Sequence, residues 1–355
     1  MKLTKATLTA IFTLSTLLGG TGAFADSPAW TKAKAAADDA REHGDYALAE
    51  TCYKQAIDLQ TASLGANSPE VAVSLNNLAV FYQDQSLYPQ AENTYQQALD
   101  ILEKNLLQEA PTAHTLNNLA ALYHEENQDA KAEPLYARAL GIWESLEKKE
   151  PLSEAATAAG LADIYHARNR NADAEPLYKR ALAIWSEQGK AASTDAADAL
   201  FALAEIYHAR SDNADAEPMY AGALKAWETL GQLKVANAIT AQSTLGEIYR
   251  SEGKYAESEP LLEQALAATE QNEGPNHLDV ASNLNHLALL YYCQGKYEAA
   301  EPLYKRALEI REKNLGAGNA LVTQTRQFYA ELLREEGRKA EAQQFESQPA
   351  HAAHL

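Results

Sequence analysis

The stretch Ala132-Glu133-Pro134-Leu135-Tyr136 returns as Ala174-Glu175-Pro176-Leu177-Tyr178, Ala216-Glu217-Pro218-Met219-Tyr220 and Ala300-Glu301-Pro302-Leu303-Tyr304. A variant, Ser258-Glu259-Pro260-Leu261-Leu262, falls between the last two, and Glu50 and Glu92 occupy the same place in weaker copies. Successive glutamates are 42, 41, 42, 42, 42 and 42 residues apart, and Gln343 marks a degenerate eighth copy. Self-similarity at this period is the mark of a solenoid, in which units too small to bury their own apolar face stack on one another.

One unit shows what is being repeated. Val280, Leu284, Leu287, Ala288 and Tyr291 fall on one face of a helix, and Ala300, Tyr304, Ala307 and Leu308 on one face of a second. Gly295 separates them and supplies a residue that tolerates positive φ. The same turn position reads Gly44, Ser86, Asn127, Asn169, Ser211, Gly253, Gly295 and Gly337, all turn-compatible. Small Ala288 and Ala300 let the two helices approach closely. Pro69, Pro111, Pro151 and Pro275 mark joints between units. Pro134, Pro176, Pro218, Pro260 and Pro302 come early in each second helix, where a missing N–H costs little in the first turn and a mild bend follows if they lie later. The expected fold is all-α, a solenoid of about eight helix-turn-helix units near residues 29–68, 69–110, 111–150, 151–192, 193–233, 234–275, 276–318 and 319–348. The first and last copies are degenerate and read as caps, and 349–355 as a short disordered tail.

Composition agrees. The chain has 355 residues, 46% apolar and 22% charged, with 17 glycines and 12 prolines, which excludes collagen-like and disordered chains and disfavours a turn-rich β-sandwich. Lys and Arg number 30 against 49 Asp and Glu, a net charge of −19. That excess works against nucleic-acid binding, which needs clustered cations, and against adsorption to anionic lipid. It favours a basic partner.

Residues 1–25 read as a signal peptide. Lys2 and Lys5 precede an apolar, Thr-rich run from Ala6 to about Leu18, and Ala23-Phe24-Ala25 is a small-x-small site with cleavage before Asp26. The run falls short of the ~18–20 residues that span a bilayer. Its removal takes the charge from −19 to −21. A periplasmic or secreted location follows, and it permits disulfides. Cys52 and Cys293 lie 241 residues apart, six repeats away from each other, so two unpaired thiols are expected.

The segment from Asp279 to Leu315 contains Leu284-Asn285-His286-Leu287-Ala288-Leu289-Leu290-Tyr291, Gln294-Gly295-Lys296-Tyr297 and Ala300-Glu301-Pro302-Leu303-Tyr304-Lys305-Arg306-Ala307-Leu308-Glu309-Ile310. It resembles the 42-residue tetratricopeptide repeats of kinesin light chains. Leu75-Asn76-Asn77-Leu78-Ala79 and Leu116-Asn117-Asn118-Leu119-Ala120 match the same pattern, and the resemblance covers about residues 29–346. It implies a right-handed superhelix whose first helices line a concave groove for a protein or peptide segment. The export signal and the lack of a heptad coiled coil argue against a motor subunit. By the family's pattern one groove row runs through Asn76, Asn117, Ala159, Phe201, Ser243 and Asn285. A second runs through Val80, Ala121, Asp163, Glu205, Glu247 and Leu289, and a third through Gln83, His124, His166, His208, Arg250 and Tyr292.

The asparagines have two readings: hydrogen bonds to the backbone of a bound peptide, or helix-to-helix bonds within the scaffold. Histidines one repeat apart stand roughly 10 Å from each other, too far to share a zinc. Asp163 with His166, Glu205 with His208 and Glu247 with Arg250 read as i,i+3 ion pairs, with a pH-tuned groove as the sharper alternative. Trp143, Trp185 and Trp227, phased at 42, read as packing rather than recognition. No His-Glu-x-x-His, Cys-x-x-Cys, Gly-x-Ser-x-Gly or phosphate loop is present, so the reading is a binding scaffold without cofactor or metal, not an enzyme. Two other readings stand beside it. A glycan or envelope-polymer binder would rely on aromatic residues such as Phe201 and Tyr292, and self-assembly into homo-oligomers would use the terminal repeats.

Overall fold

Helix formers dominate between regularly spaced turn residues, and the described residues fold accordingly into 16 helices. A computed structural model describes residues 28–105, 109–147 and 149–347, and the expectations for 1–25 and 349–355 lie outside them. Among the described residues there is no strand. They fall into two compact units, one ending at Ala191 and one beginning at Ala192. Unit 1 holds α1 (Pro28–Glu42), α2 (Tyr46–Leu64), α3 (Pro69–Asp84), α4 (Tyr88–Lys104), α5 (Ala110–Glu125), α6 (Asp129–Ser145), α7 (Pro151–Ala167) and α8 (Asn171–Glu187). Unit 2 holds α9 (Thr194–Ala209), α10 (Asn213–Thr229), α11 (Ala236–Ser251), α12 (Tyr255–Glu273), α13 (Leu278–Cys293), α14 (Tyr297–Leu315), α15 (Ala320–Glu335) and α16 (Lys339–Ser347).

Each odd-numbered helix packs antiparallel on the next even-numbered one. The close approach relies on paired small residues that are fully buried: Ala120 with Ala132, Ala162 with Ala174, Ala204 with Ala216, and Ala288 with Ala300. In unit 1 α5 touches α3 and α7, and in unit 2 α9, α11, α13 and α15 touch in succession, first helix to first helix. Among the described residues no second helix touches another second helix. The first helices therefore sit on the inner side of each unit's curve. Trp143, Trp185 and Trp227 are buried in the packing, as their phasing predicts. Cys52 is buried and Cys293 exposed, and both are free thiols.

The turn that closes each hairpin is the same at all eight positions. Gly44, Gly253, Gly295 and Gly337 have φ between 71° and 79°, while Ser86, Asn127, Asn169 and Ser211 take φ of 56–60°. In each case the left-handed residue lets the next N–H reach back into the helix, as Lys296 N does to the Tyr291 carbonyl at 2.8 Å. A serine pays a steric cost in this conformation that glycine does not. Ser86→Gly and Ser211→Gly are therefore expected to raise stability by about 0.5–1 kcal/mol each, and Gly295→Ala to lower it by a similar amount, read as shifts of the urea midpoint.

The repeated prolines lie at the sixth residue of α6, α8, α10, α12 and α14, beyond the first turn. Each helix continues through its proline, giving up one backbone hydrogen bond on the way.

Candidate partner-binding surface

The three expected rows run from the middle of each first helix toward its C-terminal end. The structure separates them. The first row is largely interior. Asn76 is 0% exposed, Asn117 1% and Asn285 5%. Asn118 Nδ2 donates to Asn76 Oδ1 at 3.2 Å, Thr157 Oγ1 donates to Asn117 Oδ1 at 2.9 Å, and Asn285 Nδ2 donates to Thr325 Oγ1 at 3.1 Å. Each bond ties one first helix to the next. The groove reading of Asn76, Asn117 and Asn285 gives way to the scaffold reading, because side chains of the following repeat cover the amides. Phe201 is half-buried, with its ring 6.0 Å from Tyr220 and 5.9 Å from Trp227, so it too belongs mainly to the packing.

The second and third rows reach the surface. Asp163, Glu205, Glu247, His124, His166, Arg250 and Tyr292 are half-buried and His208 is exposed. Their partners differ from the expected i,i+3 pairs in two of three cases. Asp163 accepts from Tyr178 Oη at 2.6 Å, and Glu205 accepts from the Tyr220 hydroxyl. Only Glu247 keeps the i,i+3 pair, with Arg250 at 3.0 Å. His166 and His208 turn the other way, each placing Nδ1 3.0 Å from an amide oxygen at the start of its second helix, Asn171 and Asn213. His124 does the same with Asp129 at 2.7 Å. The physical reason is reach. The second-helix tyrosine lies beneath the first helix, and its hydroxyl emerges beside the acidic residue, closer than the histidine one turn further on.

Unit 1 brings His124, Asp163 and His166 into one electrostatic neighbourhood. Burial pushes the Asp163 carboxyl above the usual range against the pull of Tyr178 and the two histidines. In unit 2, Arg250 reaches from Glu247 toward Cys293 Sγ at 3.7 Å, and Tyr292 lies 5.7 Å from the Tyr297 ring. Among the described residues no group of three or more His, Cys, Asp or Glu is placed to hold a metal ion.

Sequence reasoning missed a second set of residues, the phasing glutamates themselves. Glu92 accepts from Tyr123 Oη at 2.7 Å, Glu259 from Tyr291 Oη at 3.2 Å and Glu301 from Tyr329 Oη at 2.8 Å. Carboxylates at this repeated position also meet a cation beside the next turn: Arg170 at 2.8 Å from Glu133, Lys254 at 3.0 Å from Glu217, Lys296 at 3.4 Å from Glu259 and Arg338 at 3.0 Å from Glu301. Arg170 lies over the Tyr165 ring at 4.1 Å and Lys254 over Tyr249 at 5.1 Å. Glutamate, tyrosine and cation thus staple one hairpin to the next. The signal was present as a fixed offset of 37 residues from Glu133 to Arg170 and from Glu301 to Arg338.

The last staple carries a pH signature. Burial raises the Glu301 carboxyl, but Arg338, Lys305 and Tyr329 outweigh it and hold the pKa at about 2. A depressed carboxylate stabilises the fold above its unfolded value, and that contribution is lost as pH falls from about 4.5 toward about 2. Glu301→Gln is expected to lower stability at neutral pH and to flatten the acid limb of the stability curve in that window, measured by urea unfolding across pH.

Family models for the tetratricopeptide repeat match residues 31–104, 153–229, 237–313 and 283–348, and a second such model matches 112–150. The chain belongs to the tetratricopeptide repeat family. Similar solved structures include BtubC (BKLC) from P. vanneervenii, 26% identical, covering 64% of this chain and 91% of that one with a TM-score of 0.49. A kinesin light chain-like protein of Podosopora anserina with nearly identical TPR-like repeats is 21% identical, covering 57% of this chain and 95% of that one, TM-score 0.44. The C-terminal part of a TPR repeat-containing protein from Cytophaga hutchinsonii is 12% identical, covering 79% and 96%, with a TM-score of 0.51. No curated protein matches the chain. Among the described residues no helix is long and apolar enough to cross a membrane.

Proposed function

We propose that the protein is an exported TPR scaffold that holds a segment of a partner protein against the first-helix faces of its units, and that the partner is basic. One observation carries the reading: on the inner side of the hairpins, Asp163, Glu205 and Glu247 recur half-buried at one repeated position, the first two bound to tyrosine hydroxyls and the third to Arg250. Lining an inner helix face with carboxylates selects cations through charge complementarity and excludes acidic segments. The net charge of −19 supports the same choice of partner. The signal-like residues 1–25 support export, with action in the periplasm or outside the cell.

A crosslinked pull-down from envelope and culture fractions, run with native chain and with the Asp163→Asn, Glu205→Gln, Glu247→Gln variant, tests this. The amides keep an acceptor for Tyr178 and Tyr220, so the fold is retained and circular dichroism checks it. Capture of a basic protein by the native chain and its loss in the variant is the expected result. Equal capture by both would move the interaction off this face. N-terminal sequencing of the secreted or periplasmic chain is expected to begin at Asp26, and a start at Met1 would sink the export reading.

A further inference from the structure

A relay of hydrogen bonds crosses unit 2 from α12 through α13 to α11 and back to α13. Thr269 Oγ1 donates to the Ala265 carbonyl of its own helix at 2.7 Å, so its oxygen is left to accept, and Asn283 Nδ2 donates to it at 2.8 Å. That bond turns the Asn283 oxygen toward α11, where Ser243 Oγ donates to it at 3.0 Å. Asn283 is 5% exposed, so its oxygen depends on the serine proton. A hydroxyl has one proton to give. With that proton committed to Asn283, Ser243 Oγ accepts from His286 Nδ1, 3.0 Å away on α13. The relay therefore fixes the tautomer of the neutral ring: Nδ1 carries the hydrogen and Nε2 the lone pair. Nε2 has no hydrogen-bond partner among the described residues, and the half-buried ring leaves it unenclosed.

Asn118 holds the corresponding place in unit 1, where its Nδ2 donates to Asn76 Oδ1 at 3.2 Å. The bond between first helices thus needs one donor, and an amide is enough to supply it. A histidine at this place supplies the same donor together with an acceptor that the scaffold does not use.

The charges around the ring decide what that acceptor can take. One turn beyond Ser243 on α11, Glu247 is paired with Arg250 at 3.0 Å. One turn before His286 on α13, Ser282 Oγ accepts from Arg311 Nη2 at 3.3 Å. The other acceptors of that guanidinium, the Leu321 carbonyl and Thr325 Oγ1, are uncharged as well. Burial holds the imidazole below its usual pKa, Glu247 opposes that, and Arg250 and Arg311 reinforce it. A neutral ring beside a guanidinium with uncharged acceptors disfavours a cation and suits an uncharged donor.

We infer that His286 Nε2 is a specificity-determining acceptor on the first-helix face of unit 2, and that it takes one uncharged N–H or O–H of the bound segment, from a hydroxyl or carboxamide side chain or from a backbone amide. The inference rests on that face as the binding face and adds a neutral position to the basic segment held there.

Nitrogen NMR of the full chain labelled at histidine, with the His286 signals assigned by their loss in His286→Asn, is expected to show a protonated Nδ1 and a bare Nε2 at pH 7. A proton on Nε2 in place of Nδ1 would overturn the acceptor before any ligand is added. His286→Asn keeps a donor for Ser243, as Asn118 does for Asn76, and its urea midpoint is expected to match that of the native chain. A positional-scanning library of N-acetylated, C-amidated decapeptides is panned against both. The native chain is expected to enrich Ser, Thr, Asn or Gln over Ala or Val at one position by roughly fivefold, the effect of one neutral hydrogen bond, and the variant to lose that preference. Where a backbone amide is the donor, N-methylation at one position of the enriched peptides weakens binding to the native chain by a similar factor and leaves binding to the variant unchanged. Peptides that behave alike toward native chain and variant in both arms would overturn the acceptor while leaving the binding face standing. Enrichment of no peptide by the native chain would overturn the binding face and the acceptor with it.

Discussion

Trp227→Ala is expected to destabilise unit 2 by about 3–5 kcal/mol. The indole is 0% exposed and its Nε1 has no hydrogen-bond partner among the described residues, so its contribution is packing alone. Truncation leaves a cavity against Phe201, whose ring stands 5.9 Å away and is itself pinned by Tyr220 at 6.0 Å. Neighbours held on both sides collapse only partly, which places the loss toward the upper end for such truncations. Urea unfolding followed by circular dichroism reads the effect, and Trp227→Phe should lose less because a ring still fills part of the space. A loss below about 1 kcal/mol for the alanine variant would contradict the packing role and return the phased tryptophans to recognition.

The second large effect separates two helical glycines of unit 1. Gly160→Ala is expected to cost about 1–3 kcal/mol despite the better helix propensity of alanine. The new Cβ would lie 2.6 Å from Cζ of Tyr136, a fully buried ring with no room to retreat. Propensity returns at most about 1 kcal/mol, which is smaller than the overlap. Gly141→Ala meets nothing within 4 Å and is expected to stabilise by about 0.5–1 kcal/mol. The double variant Gly160→Ala, Tyr136→Leu should recover part of the loss, since the shorter side chain vacates the space. Equal and favourable effects at both glycines would show that Tyr136 does not occupy the notch on α7.

Much of the fold was legible because eight imperfect copies can be read against one another. Ser86 and Asn127 look unremarkable alone, yet alignment with Gly295 and Gly337 predicts the left-handed turn that all of them adopt. The buried tryptophans and paired alanines follow from the same phasing. The inner face was harder to read. Asn76 and Asn285 satisfy the sequence pattern of a groove, but their exposure depends on Asn118 and Thr325 of the following repeat, whose side-chain directions the pattern does not contain. The pairing of Asp163 with Tyr178 rather than His166 has the same origin: helical spacing sees neighbours one turn away and not a side chain crossing beneath from the second helix. The glutamate staples were visible as a period and invisible as chemistry, since their partners lie in the next hairpin.

These corrections also change how the binding face should be probed. Replacing the asparagines would loosen inter-repeat bonds and confuse lost binding with lost packing. Half-exposed positions report on the face itself. The most direct measurement places a photo-crosslinking amino acid singly at Ala159 or Glu247 on first helices, and at Lys179 or Lys305 on the exposed side of second helices, with the chain exposed to the envelope and culture fractions. Covalent capture of one basic protein from Ala159 and Glu247, with none from Lys179 and Lys305, is the result predicted for a scaffold that holds its partner on the inner face. Capture from the second-helix positions alone would contradict it.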